Sequence, residues 1–165
     1  MLPSKGKYAA FDVARSAARL GVSVSWPDDF LSMAKTTAPL RALHFVKRHY
    51  SPAVFQDLLQ YLFYTFFTPP NRNISNVEVL EVVLAEAPVG FSATEQGSGA
   101  VSDAGKRLFS AKEVKQILDN AEGQEMRDVL KQTTAKALEL GAFGAPWMWV
   151  TDSAGRAEPF FGSDR

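Results

Sequence analysis

Apolar positions recur at helical spacing through most of the chain. Over 8–21, Phe11, Val13, Ala14, Ala17, Ala18 and Leu20 fall near one face, and Gly21 sits where a helix would close. Trp26-Pro27 interrupts 22–30, and 28–36 predicts a short helix with acidic residues in its first turn. Thr37 is placed to cap a helix to about Tyr50, with Pro39 in its first turn. Ser51 then caps 52–68, with Pro52 at the first helical position. That segment is apolar around most of its circumference, through Val54, Phe55, Leu58, Leu59, Leu62, Phe63 and Phe66. Such a helix belongs at the centre of a core or at an interface. TPPNRN stops it, and 75–87 resumes with Val77, Leu80, Val83 and Leu84 on one face.

The pattern changes at 88–107, which is small, polar and glycine-rich and reads as a loop, at least partly mobile. Helical periodicity returns over 110–121, with a capping box from Ser110 to Glu113. It continues over 123–141, where Met126, Val129, Leu130, Thr133, Ala137 and Leu140 form a stripe and Gly141 supplies a left-handed cap. Two apolar runs, 147–151 and 157–161, flank the turn-like DSAGR and predict a β-hairpin. The expected fold is mainly α with a small C-terminal β-hairpin. Two strands do not make a stable sheet alone, so this hairpin either lies on the helices or belongs to a larger sheet.

Composition narrows the chemistry. Basic and acidic residues number 18 each, which gives nucleic acid no electrostatic footprint. There is no cysteine, so this chain offers no disulfide, thiolate metal site or thiol nucleophile. No apolar run reaches the roughly 18–20 residues that span a bilayer, and MLPSKGKYAAFD has no apolar signal core. His44 and His49, five apart, point to different faces and read as surface or structural residues. Asp28-Asp29 reads as a helix start and Lys47-Arg48 as a solvated face. The expectation is no metal site and no catalytic residue in this chain.

GAFGAPWMWV (141–150) is the unusual stretch, because a proline stands at the mouth of an apolar strand. A tight turn explains it; so does a loop that offers its backbone to a ligand. Helix, glycine, loop ending in X-Pro and hairpin is the order of the second half of a thioredoxin-like fold, where that proline is cis and a peptide-like ligand pairs with the backbone before it.

GAFGAP followed by a hairpin and FFGSDR resembles the kappa-class glutathione transferases, which share their arrangement with hydroxychromene-carboxylate isomerases and DsbA-like disulfide oxidoreductases. LPSKGKYAAFDVARSAARLGVSV, FLSMAK and TTAPLRAL are similar to that family's inserted helical domain. The resemblance implies a helical insertion domain over 1–121 and, over 122–165, the C-terminal part of a thioredoxin-like (DsbA-like) α/β fold. It implies glutathione as co-substrate, with Ala145 and Pro146 at its cysteinyl part, Ser163 and Asp164 at the γ-glutamyl end and Lys5 near the glycyl end. It further implies a small electrophilic substrate, a homodimer in the full-length family, and mitochondrial or peroxisomal placement. Family members begin with a strand, a loop carrying a serine before a proline, and a helix. The expectation is therefore a chain truncated at both ends, without the catalytic serine segment. The alternatives are a glutathione-dependent isomerase or disulfide oxidoreductase of the same fold, and a non-catalytic helical protein that binds a partner through 52–68.

Overall fold

The computed structural model describes residues 3–21, 24–27, 29–93, 99–101 and 105–162. The chain is mainly helical: α1 (Pro3–Leu20), α2 (Phe30–Met33), α3 (Thr37–His49), α4 (Pro52–Phe67), α5 (Val77–Glu86), α6 (Ala111–Ala121) and α7 (Gln124–Glu139). Two antiparallel hairpins complete it, β1 (Phe91–Ala93) with β2 (Gly99–Val101), and β3 (Trp147–Thr151) with β4 (Ala157–Phe161).

Local signals place most helix ends. Ser51 accepts from the Val54 N–H at 3.4 Å, and Pro52 occupies the first helical position, where its missing N–H costs nothing. At α6 the capping box closes in both directions. The Ser110 N–H donates to Glu113 Oε2 at 2.8 Å, and the Glu113 N–H donates to Ser110 Oγ at 3.4 Å. The Ser110 N–H, and the Ser110 hydroxyl at 2.7 Å, both donate to the Glu113 carboxylate, which favours its ionised form and holds its pKa below the usual range. Asn76 caps α5 by accepting from the Val79 N–H at 3.0 Å. Thr37, in contrast, is the first residue of α3 and not its cap; Thr36 holds that position without a side-chain bond. α2 is a single turn rather than the span 28–36, and at its start the Asp29 carboxylate accepts from the Ser32 hydroxyl and caps no backbone amide.

The core gathers one face from each of α3 to α7. Ala42 and Val46 of α3, Leu58 of α4, Leu80, Val83 and Leu84 of α5, and Ile117 of α6 are fully enclosed, and Met126 of α7 is 1% exposed. Val77, read from spacing as part of the α5 face, instead looks outward. At the far end of α4, Asn71 adopts φ 53° and donates to the carbonyls of Phe66 (2.9 Å) and Ser25 (3.0 Å). An asparagine tolerates that left-handed conformation, and here it ties the segment before α2 to α4.

The glycine-rich segment is not wholly loop. Val89 N–H donates to Lys106 O (3.1 Å), Leu108 N–H to Ala87 O (2.8 Å), and Pro88 bridges Arg107, so its two ends are stitched together. The Asp57 carboxylate of α4 accepts the Gly90 N–H at 2.6 Å. Phe91 then seats its ring against Tyr61 and Tyr64, at 5.1 and 5.3 Å. From that anchor β1 pairs with β2, Phe91 opposite Val101.

Candidate functional site

The candidate site is built where α7 ends. Gly141 takes φ 89° after the C-cap Leu140, its N–H donating to Leu138 O at 2.9 Å and the Ala142 N–H to Ala137 O at 2.9 Å. This pair of bonds is a Schellman closure, which needs a left-handed residue and explains the first glycine of GAFGAP. The second has a different cause. A Cβ on Gly144 would lie 3.0 Å from Cε2 of Phe161, so glycine lets the loop close over that ring. Phe143 stands against Trp147 and Phe161, with ring centres 5.5 and 4.6 Å away.

The Ala145–Pro146 bond is cis. Gly162 N–H donates to Pro146 O at 3.0 Å and ties the start of β3 to the end of β4. Ala145 itself is exposed, and its N–H and C=O have no hydrogen-bond partner among the described residues. β3 pairs with β4 alone, Trp147 opposite Phe161 and Thr151 opposite Ala157, so its other edge is open among the described residues. The indole N–H of Trp147 is enclosed and has no acceptor among the described residues. Asp152 organises the far turn. Its carboxylate accepts from the N–H groups of Ala154 (2.8 Å) and Arg156 (2.9 Å) and from Arg156 Nε (2.8 Å), which holds its pKa below the usual carboxylate range.

Of the residues the resemblance singled out, Ala145 and Pro146 stand together on this exposed loop. Ser163 and Asp164 lie outside the described residues. Lys5 is in the first turn of α1, and its side chain is likewise outside them. The histidines are dispersed: His44 is half-buried, and His49 packs on Phe45 with ring centres 4.4 Å apart. Arg48, read from sequence as solvated, reaches Glu125 of α7 at 2.6 Å. Helix α4 turns Leu58, Leu62 and Phe66 into the core and leaves Phe63 outward. Among the described residues no cluster of potential metal ligands forms, and no helix is long and apolar enough to cross a membrane.

One concavity was not anticipated. α2, α3 and α4 flank an open pocket of about 320 Å³ lined by Phe30, Pro39, Leu43, Leu62, Phe66 and neighbouring apolar residues, with Thr36 the one polar side chain among the described residues that line it. Its lining comes from separate segments with no shared motif, so no local signal in the sequence marks it.

No protein-family model matches the chain. Over 168 aligned positions, 99% of this chain, it is 26% identical to glutathione S-transferase kappa 2 of Caenorhabditis elegans. Over 169 positions, its whole length, it is 28% identical to glutathione S-transferase kappa 1 of Homo sapiens. A 59-residue stretch, 36% of this chain and 26% of the relative, is 37% identical to glutathione S-transferase kappa 1 of Caenorhabditis elegans. The chain spans 64% of the length of the first two relatives. The resemblance carried by GAFGAP and the helical segments therefore extends over nearly the whole sequence: this chain is similar to the kappa-class glutathione transferases.

Proposed function

We propose that the chain contributes to the glutathione site of a kappa-class-like glutathione transferase, an enzyme that delivers the glutathione thiolate to a small electrophile. One observation carries this reading: the exposed, unpartnered backbone of Ala145 beside the open edge of β3. Glutathione is a short peptide, and its cysteinyl N–H and C=O match such a backbone as an added strand does. The names of the relatives support the choice of ligand. In this reading Ser163 and Asp164 hold the γ-glutamyl end, Asp164 pairing with its α-ammonium, and Lys5 approaches the glycyl carboxylate. Residues 122–165 then act as the thioredoxin-like part and 1–121 as the helical insertion. The homodimer and the mitochondrial or peroxisomal placement belong to the same reading.

The chemistry divides into orientation and activation. In this reading these residues orient glutathione, and none of them is assigned the task of lowering the thiol pKa. A free thiol with a pKa of about 8.5 is mostly protonated at pH 7. This chain alone is therefore expected to conjugate glutathione to an aryl halide no faster than buffer. Robust turnover would place the activating group within these residues and overturn the assignment. Binding is tested separately, by amide chemical shifts during titration with S-methylglutathione. Shifts centred on Ala145 and Trp147 are expected; shifts confined elsewhere, or none at millimolar ligand, would remove the reading.

A further inference from the structure

We propose that the pocket between α2, α3 and α4 binds a small, uncharged molecule carrying an aromatic ring, independently of the glutathione reading. The floor is core material: Leu62, Phe66 and Ile74 are 3%, 6% and 5% exposed. The walls are aromatic, from Phe30, Phe63 and Phe67. Phe30 already meets Phe66 edge to face at 6.2 Å, the arrangement that a further ring can extend. At an interior packing density of about 0.75, the volume of about 320 Å³ holds roughly a dozen to fifteen non-hydrogen atoms.

The lining also decides what kind of occupant fits. Among the described residues no charged side chain lines the space, so an ionised ligand would lose its hydration without compensation from them. A peptide laid along it would bring backbone N–H and C=O groups, for which Thr36 offers a single hydroxyl. A compact apolar molecule with at most one polar atom brings neither cost. Phe63, 58% exposed, stands where such a molecule would cover it.

Trp26 supplies the reporter. Its ring lies 4.9 Å from that of Phe30 and 5.7 Å from that of Phe67, two walls of the pocket. The 165-residue chain carrying Trp147→Phe and Trp149→Phe keeps Trp26 as its sole tryptophan. It is titrated with 1-naphthylamine, which is uncharged at pH 7 and small enough for that volume, following probe fluorescence and energy transfer from Trp26. Saturable binding at one site is expected. Ala34→Phe, which fills the pocket from the exposed end of α2, and Phe63→Ser, which removes an outer wall, are each expected to weaken it by about tenfold or more. Circular dichroism identifies variants that keep the fold, and weakening in either folded variant supports the site. Unchanged affinity in both, absence of energy transfer from Trp26, or displacement of the probe by a second copy of the chain would overturn it.

Discussion

Gly141 and Gly144 stand three residues apart and are glycine for different reasons, which substitution separates. At Gly141 a Cβ meets nothing within 4 Å, so Gly141→Ala carries only the left-handed backbone cost, about 1–2 kcal/mol. A lower urea midpoint with an unchanged slope is expected. Gly144→Ala presses on the Phe161 ring instead, and displaced aromatic resonances of Phe161 and Phe143 are its expected sign. His44 supplies a pH dependence. Burial first, then the charges of Lys47 and Arg48, hold its pKa below the ordinary 6.5. The folded state thus binds fewer protons than the unfolded chain, so stability is full above 6.5 and falls as pH drops toward the folded value. Denaturation curves from about pH 7.5 to about pH 5 should show that loss, and His44→Gln should flatten it.

At the scale of elements, what was legible was whatever a few neighbouring residues decide. The Ser51 cap, the Ser110–Glu113 box, the Gly141 closure and both strands of the C-terminal hairpin follow from short local patterns. Ser110→Ala is expected to cost about 1 kcal/mol of stability in thermal or urea unfolding, because it leaves helix N-terminal amides unpaired. Leu80→Ala, at a fully enclosed site, is expected to cost about 2–5 kcal/mol by the same measurement. What was not legible depends on partners distant in sequence. The β1–β2 hairpin rests on one phenylalanine, Phe91, meeting two tyrosines of α4, and on Asp57 receiving Gly90. Composition alone shows neither. The α7 stripe shows the reverse error. Met126 is buried and Val129 and Leu130 partly so, but Thr133 is exposed. Spacing marks an apolar face, but it does not say how far a neighbour covers it.

Across the whole molecule, the helical core runs from Met33 to Met126, and the C-terminal hairpin lies beyond it. The candidate glutathione site was legible through the resemblance rather than through physics: GAFGAP by itself permitted a plain tight turn. Geometry adds the open Ala145 backbone, while Ser163 and Asp164 lie outside the described residues. The apolar pocket was illegible because helix packing alone brings α2, α3 and α4 around it. The open edge of β3 has a consequence for handling the protein in solution. Trp147–Thr151 contains no charged residue, and Met148, Trp149 and Val150 are 47%, 43% and 48% exposed. An uncharged, greasy edge whose ladder groups have no partner among the described residues is a template for aggregation, and nothing along this strand acts as a gatekeeper. Concentrated samples are expected to turn turbid through this edge. Val150→Lys, which sets an ammonium on it, should raise the concentration at which light scattering begins while leaving the helical circular dichroism unchanged.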